Sequence, residues 1–344
     1  MEVLKKSIVI IYVILVIALA FVKSYNSWYM ITLWGSLSLL GAIYLFIRAK
    51  RKTTLLLHLS FLVILAGATV THFTQKKGTI HLREGEPMAY FLDEEERIYK
   101  FSYQLRLDSF EIEYEADGKE ERDYLSYVTV LPSGEHHVIS MNNILHLGQS
   151  RFYQSSYDED RRGSILIVNR DPYGIPVTYA GYLMMGISFL LIILRKGNRR
   201  ILLGALGLTA IVIALFSLKK YDMPVLKTWL LPVHVSLIIS SYVLLLLSIW
   251  KRRVLPIAIA FLACGIFVGA YWANISWGTY WSWDPKEVWA LITMMVYAAP
   301  LHTTSLPRFR SDRFYRIYMI LAFLCVLMTY FGVNYLLGGM HSYN

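Results

Sequence analysis

The residues best suited to chemistry lie close together in one stretch, Tyr271–Trp289, which reads YWANISWGTYWSWDPKEVW and holds five of the nine tryptophans. Trp277 and Trp281 stand four residues apart, and on a helix that spacing places both rings on one face. Asp284 directly precedes Pro285, a pattern typical of a helix that begins at the proline with the aspartate as its N-cap. Tryptophan offers apolar area and stacking, so the segment suits the binding of a flat apolar partner. The alternative is a belt of interfacial aromatic residues, which many membrane proteins have.

Histidines near the ends of apolar segments are the second group that could do chemistry. An imidazole inside a membrane is costly, so it needs either a hydrogen-bonding partner or a ligand. Four such residues are His58, His234, His302 and His341. Each is therefore a structural hydrogen-bonding group or a metal ligand, and the residues taken singly do not decide between the two. His72, at the end of its segment, fits the structural role better.

The elements that must position these side chains are membrane helices. The chain is 56% hydrophobic and 15% aromatic, more than a soluble domain can bury. A membrane span needs about 20 apolar residues. Nine segments fit this length: 7–22, 29–47, 54–72, 177–194, 201–218, 229–250, 254–271, 285–302 and 317–338. We therefore predict an α-helical polytopic membrane protein with about nine transmembrane helices.

The net charge of +10 is distributed in a way that predicts a membrane orientation rather than nucleic-acid binding. Basic residues gather in alternate short loops, and such loops face the cytoplasm. The clusters are Lys5 with Lys6, Arg48–Lys52, Arg195–Arg200, Lys251–Arg253 and Arg308–Arg316. Three lysines of an outer loop oppose this assignment: Lys219, Lys220 and Lys227. With the amino terminus inside, His58 and His302 lie near the cytoplasmic face, whereas His234, His341 and the carboxyl terminus lie outside.

A soluble outer domain is predicted between the third and fourth spans, from about 73 to 176. Apolar and polar residues alternate from Tyr99 to Leu107, and the alternation slips at Asp108, as at a β-bulge. Asp117-Gly118 and Pro132-Ser133-Gly134 are turn signals between such runs. The pattern predicts a small extracytoplasmic antiparallel β domain.

Other reaction classes lack their residues in this sequence. Cys264 and Cys325 each lie inside a predicted span and no CxxC occurs, which disfavours a thiol-disulfide carrier and favours two buried apolar thiols. No Ser-His-Asp set, paired carboxylates or phosphate-binding glycine loop stands out. The outer-domain histidines show no metal-ligand spacing and are expected on the solvated surface. They are His81, His136, His137 and His146.

The tryptophan stretch and its neighbours resemble a known family. WGTYWSWDPKEVWALI is similar to the WWD signature of haem-handling membrane proteins, in particular the CcsA half of the System II cytochrome c synthase. Residues 201–344 are similar to CcsA more widely, with the WWD segment at 271–289. The similar stretches include LPVHVSLIISSYVLLL around His234, WALITMMVYAAPLH ending at His302, and GVNYLLGGMHSYN around His341.

The first part of the chain resembles CcsB, also called ResB. The similar stretches are GTIHLREGE after the third span and RFYQSSYDEDRRGSILIVNRDPYGIPVTYAGY before the fourth. The resemblance implies three spans in 1–72, an outer β domain in 73–176, and a returning span with a cytoplasmic turn in 177–200. Both halves of the synthase would then be fused in one chain.

The resemblance also implies roles for the histidines and tryptophans. A haem iron accepts two axial ligands, and histidine is a common one. The outer pair, His234 and His341, would hold haem b at the attachment site, and the inner pair, His58 and His302, would receive it from the cytoplasm. The candidate catalytic residues are Trp277, Trp281, Trp283 and Asp284. The tryptophans would pack on the porphyrin, and the aspartate is either a helix cap alone or also an acceptor in the site.

The implied function is cytochrome c biogenesis in a bacterial-type cytoplasmic membrane. A holocytochrome c synthase of the haem lyase type would export haem and attach it through thioether bonds to CXXCH segments of apocytochrome c. The protein would contribute positioning, iron ligation and exclusion of water. Two alternatives stay open: a haem transporter that forms no thioether bonds, and a haem-binding subunit of a membrane redox complex. The expected partners are haem, the apocytochrome, the lipid bilayer and a thiol-reducing protein, without nucleic acid.

Overall fold

Helices account for most of the structure. The computed structural model describes residues 2–22, 24–25, 27–48, 51–114, 121–194, 198–218 and 228–337. The α-helices in these ranges are α1 Glu2–Phe21, α2 Trp28–Arg48, α3 Lys52–Thr74, α4 Gly174–Ile193, α5 Arg199–Leu218, α6 Leu230–Ser248, α7 Leu255–Trp277, α8 Pro285–Ala298 and α9 Asp312–Leu327. The last of them continues as a π-helical segment, Met328–Leu337.

The protein is a multi-pass membrane protein. In the described part of the chain, seven helices are long and apolar enough to cross a bilayer: α1, α2, α3, α4, α6, α7 and α9 with its extension. The helix α8 has 14 residues, which gives about 21 Å of helix against a hydrocarbon core of about 30 Å. The predicted fold class is confirmed, and the count of nine spans stays a prediction.

The β domain between α3 and α4 is one antiparallel sheet of eight strands in the order β5-β4-β3-β2-β1-β8-β7-β6. The strands are β1 Lys76–Arg83, β2 Pro87–Leu92, β3 Ile98–Tyr114, β4 Glu121–Leu131, β5 Glu135–Ile139, β6 Leu145–Leu147, β7 Ser150–Tyr157 and β8 Gly163–Arg170. Its buried core includes Ile80, Leu82, Phe91, Leu105, Leu107, Phe152 and Val168. Along β1, the buried residues Ile80 and Leu82 alternate with exposed ones, as expected for a strand with one buried face.

The bulge and the turns of this domain were predicted from the sequence. The register of β3 against β4 shifts between Leu107 and Ser109, which confirms the bulge predicted at Asp108. Residues 132–134 form the turn between β4 and β5, with Gly134 at φ 76°. The predicted Asp117-Gly118 turn lies outside the described residues.

The sheet is connected to the membrane helices through α3 and α4. The strand β1 follows α3 directly, and its neighbour β8 leads into α4. The two helices approach so closely that a Cβ on Gly67 would overlap Thr178, and a Cβ on Gly181 would overlap Ile64. Small residues at such an interface let two membrane helices pack backbone against backbone. This pair therefore joins the β domain firmly to the membrane part.

The helices divide the molecule into two ends. The end of α3, the start of α4 and the end of α7 lie at the β-domain end. The opposite end holds the start of α3, the start of α5 and the turn between α6 and α7. Lys5 and Lys6 line one groove with Ser305, so they also lie at this opposite end, which we call the basic end.

Candidate functional site

The tryptophan segment begins where α7 stops. Gly278 adopts φ 82° and caps α7, its N–H lying 3.2 Å from the Asn274 carbonyl oxygen. A Cβ on Gly278 would lie 2.6 Å from the Tyr153 ring, so the β domain covers this turn. The prediction that Trp277 and Trp281 share one helical face is therefore wrong, because a left-handed glycine ends the helix between them.

The indole rings form two separate groups. Trp277 contacts Trp272 within α7, with ring centroids 4.9 Å apart and planes at 73°. Trp281 and Trp283 lie in the following coil with centroids 5.8 Å apart and nearly perpendicular planes. Trp283 also stacks on Tyr25, which lies between α1 and α2, at 5.0 Å with an interplanar angle of 9°. The segment therefore lies between the connection of α1 to α2 on one side and the β domain on the other.

Asp284 is a helix cap, as the sequence predicted. Its Oδ1 accepts a hydrogen bond from the Lys286 backbone N–H at 2.9 Å. The Glu287 carboxylate accepts from the Asp284 N–H at 3.3 Å and from the Ser282 N–H at 2.8 Å, which completes a capping box. The aspartate side chain is buried, and capping accounts for its position at the start of α8.

A polar cluster joins the β domain to the end of α7. The Arg151 guanidinium donates to the Asn274 side-chain oxygen at 2.5 Å, and the Tyr179 hydroxyl donates to the same oxygen at 3.0 Å. Tyr153 donates to the Asn274 backbone carbonyl at 3.1 Å, and Asn169 donates to the Gly278 carbonyl. Residues more than 90 positions apart thus fix the turn that begins the tryptophan segment.

A second contact joins the segment to α3. The Tyr280 hydroxyl donates to Thr71 Oγ1 at 3.0 Å, and Thr71 in turn donates to the Asp171 carboxylate at 2.7 Å. Asp171 also accepts from the backbone N–H of Gly174, at the start of α4. The segment, α3, α4 and the base of the sheet therefore share one hydrogen-bonded network. Sequence reasoning missed Tyr25, Arg151, Asn274 and Tyr280, because each acts through a contact that no local pattern signals.

The structure brings His58 and His302 together at the basic end. Their ring centroids lie 5.9 Å apart, and the ring planes are nearly perpendicular at 88°. His58 Nδ1 lies 2.9 Å from the Thr54 carbonyl oxygen, and His302 Nδ1 lies 3.0 Å from the Ala298 carbonyl oxygen. A carbonyl only accepts, so both Nδ1 atoms carry the hydrogen and each Nε2 presents its lone pair. Within the described ranges neither Nε2 has a hydrogen-bond partner.

The two rings come from distant parts of the chain. His58 is in the second turn of α3, and His302 follows the short 3₁₀ turn Ala299–Leu301 after α8. His58 and Thr74, the end of α3, are sixteen positions apart, which is about 24 Å along the helix. The pair therefore lies near one membrane face and the tryptophan segment near the other.

The structure places His234 in the first turns of α6, near the β-domain end. Its Nδ1 lies 2.7 Å from the Gly265 carbonyl oxygen of α7. The ring lies against Gly269, where a Cβ would be 2.6 Å from Nδ1 and from Cε1. Its predicted partner, His341, lies outside the described residues, so the outer pair stays a prediction.

The remaining histidines and cysteines lie elsewhere. His72 is exposed and contacts Phe73, and Cys264 and Cys325 are free, partly buried thiols. His81 pairs with Asp158 at 2.9 Å, and burial followed by the nearby Arg151 charge lowers the pKa of His146. His136 lies 2.8 Å from Thr129, and His137 lies 3.5 Å from Glu135. In the described part of the chain no three metal-binding side chains converge.

Two family models match the chain. Residues 48–199 match the ResB-like family, and residues 246–341 match the family described as Cytochrome C assembly protein. His58 lies in the first region and His302 in the second. Both matches support a role in cytochrome c biogenesis.

Curated relatives are similar over part of their length. The cytochrome c biogenesis protein CcsA of Oenothera argillicola is 47% identical over 94 residues, which are 27% of this chain and 29% of that protein. CcsA of Trachelium caeruleum is 46% identical over 97 residues, 28% of this chain and 30% of the relative. CcsA of Ranunculus macranthus is 31% identical over 188 residues, 49% of this chain and 58% of the relative. The chain thus spans less than two thirds of the curated relatives that it matches.

Proposed function

We propose that this chain, which carries a ResB-like and a cytochrome c assembly region in one polypeptide, exports haem and attaches it covalently to apocytochrome c. The observation that carries the proposal is the contact between His58 and His302, because it builds one imidazole pair from the two family regions. A protein with either region alone would lack half of the pair.

The spacing of the inner pair supports the binding of one haem iron by both imidazoles. Metal–nitrogen bonds of about 2 Å on both sides place the centroids of two imidazoles about 6 Å apart. The centroids of His58 and His302 lie 5.9 Å apart. Perpendicular planes are compatible with this arrangement, since each ring rotates about its own iron–nitrogen bond. The hydrogen bonds from both Nδ1 atoms to backbone carbonyls hold each ring in the ligating tautomer.

The charge distribution supports haem uptake from the cytoplasm. The inner pair lies at the basic end, where Arg252, Arg308 and Arg310 also lie, and positively charged loops face the cytoplasm. Haem would then pass to His234 and His341 near the β-domain end. In this orientation the β domain and the tryptophan segment face the outside of the membrane.

The thioether step requires positioning rather than an acid–base residue. The thiol sulfur of the CXXCH segment bonds to one vinyl carbon of haem, and the thiol hydrogen ends on the other, so the addition is redox-neutral. Trp281 and Trp283 would supply the apolar wall against the porphyrin, while the β domain above them would receive the apocytochrome. The client cysteines must be reduced beforehand, which a thiol-reducing partner would ensure. Asp284 acts in this scheme as the cap that orients α8.

The test is co-expression with a CXXCH reporter in a host that lacks its own maturation machinery. The proposal expects haem that stays on the reporter after denaturation. A reporter with both cysteines changed to alanine is the matched control and should stay unlabelled. Haem bound to the purified chain without labelled reporter would favour the transporter or the redox subunit and would contradict the synthase.

A further inference from the structure

A groove between α5 and α6 at the basic end is not used by the proposed haem route. Ile201, Gly204, Ala205 and Leu208 line it on one face of α5, and Leu244 and Leu247 line it on α6. The small residues Gly204 and Ala205 of α5 leave this space opposite the two leucines of α6. A Cβ on Gly204 would meet nothing within 4 Å. Its walls are therefore apolar over about two helical turns, or about 10 Å.

Basic side chains surround the mouth of this groove. Lys251 and Arg253 border it and are exposed, and Arg199 and Arg200 begin α5 beside it. Arg252 is already engaged, since it donates to the Phe309 carbonyl at 2.5 Å and pairs with Asp312 at 3.0 Å. Among the described residues no acidic side chain lines the groove. Asp312 is thus the counter-charge of Arg252, and the described lining of the groove itself offers Lys251 and Arg253 no carboxylate.

We infer that this groove binds an anionic phospholipid, with an acyl chain between α5 and α6 and the phosphate at Lys251 and Arg253. Basic pockets between membrane helices favour anionic head groups. The groove opens sideways toward lipid, because Leu203, Leu206 and Leu247 beside it are 59%, 50% and 45% exposed. It is lined by no histidine within the described ranges, so it offers haem no iron ligand.

The test measures lipid retained by the purified full chain in native mass spectrometry. Phosphatidylglycerol should remain bound where phosphatidylcholine of equal chain length is lost. Replacing Lys251 and Arg253 by glutamine should weaken retention about fivefold for each charge removed. The Gly204→Leu variant keeps the charges but fills the groove, and it should lose the lipid as well.

The matched control is the pair Arg308→Gln and Arg310→Gln, which removes two exposed charges from the same end of the molecule but outside the groove. Retention should be unchanged in this variant when monodisperse yields are equal. An equal loss in the control, equal retention of phosphatidylcholine, or full retention by Gly204→Leu would overturn the assignment. Displacement by soluble glycerophosphate or by stoichiometric haem would overturn it too, since neither carries the acyl chain that the groove is inferred to recognise.

Discussion

The position of the His234 ring depends on a glycine of the neighbouring helix α7. Its ring lies against Gly269 and its Nδ1 reaches the Gly265 carbonyl at 2.7 Å. Alanine favours a helix over glycine by about 1 kcal/mol, so a glycine at this position is best explained by close packing. The ring and the glycine thus form one local unit.

Gly269→Ala should therefore displace the His234 ring and weaken haem retention at the outer site, although it stabilises the helix intrinsically. Gly207→Ala is the matched control, because that glycine of α5 has open space around it. The measurement is the Soret absorbance per folded protein after purification. Equal haem content in both variants would show that the position of His234 does not matter for haem binding.

Around the tryptophan segment, the sequence predicts the features that depend on neighbouring residues. The cap at Asp284 follows from Pro285 and Glu287, which lie within one turn. The helical stacking of Trp277 on Trp281 fails because Gly278 adopts a left-handed conformation, and spacing alone does not reveal where a helix stops. Trp283 is also left-handed at φ 60°, a conformation that tertiary contacts such as the Tyr25 stack must hold. Those contacts are invisible in a local pattern.

The helix α7 is a second link between the membrane helices and the β domain, beside the pair α3 and α4. The predicted span ends at residue 271, but the helix continues to Trp277. The added turns contain Asn274, whose side chain is fully buried against Arg151 and Tyr179. Hydropathy does not predict this extension, because the side-chain oxygen of Asn274 is bound by Arg151 of the β domain and Tyr179 of α4 rather than by water.

Arg151→Ala should loosen the tryptophan segment. The change leaves the buried Asn274 oxygen without its charged donor, a loss of about 1.5–3 kcal/mol, so amides of residues 278–284 should exchange with solvent roughly tenfold faster or more. The control is Arg162→Ala, which removes an exposed β-domain arginine that pairs with Glu84 at 3.4 Å. If both variants exchange like the wild type in this segment, the polar cluster does not fix it.

The distribution of basic residues and the position of the β domain define the same two ends of the molecule. The described basic loops lie at one end and the β domain lies at the other. Charge placement predicted that His58 and His302 lie at one depth, and the structure brings the two rings together. The sequence did not predict that α3 and the end of α8 lie side by side, because the two helices belong to different family regions. That arrangement depends on packing throughout the membrane core.

The β domain should lose stability in acid in a specific way. Asp158 accepts hydrogen bonds from Arg83 at 2.6 Å and from His81 at 2.9 Å, and these bonds hold the pKa of its carboxyl below the usual range. The stabilisation is present above the ordinary aspartate pKa of about 4 and is lost as the pH falls through the lowered folded value. Amides of β1 and β8 should therefore exchange faster below about pH 4, after correction for intrinsic rates.

Asp158→Asn should remove this acid-dependent component and should be less protected at neutral pH. Glu159→Gln, an exposed neighbour with the same change of charge, should behave like the wild type. An acid response that persists unchanged in Asp158→Asn would assign the sensitivity to other carboxylates.

In the proposed route, His58 and His302 bind one iron and supply haem to the outer site. The deciding measurement is the haem content per monodisperse protein in His58→Ala, His302→Ala and the double variant, with His72→Ala as the control at the opposite end of α3. Either single change should remove most of the haem while the outer histidines stay intact, and the double change should add little. Added imidazole should partly restore binding, because it can occupy the vacated axial position. Full haem content in both single variants would show that this histidine pair does not supply the outer site.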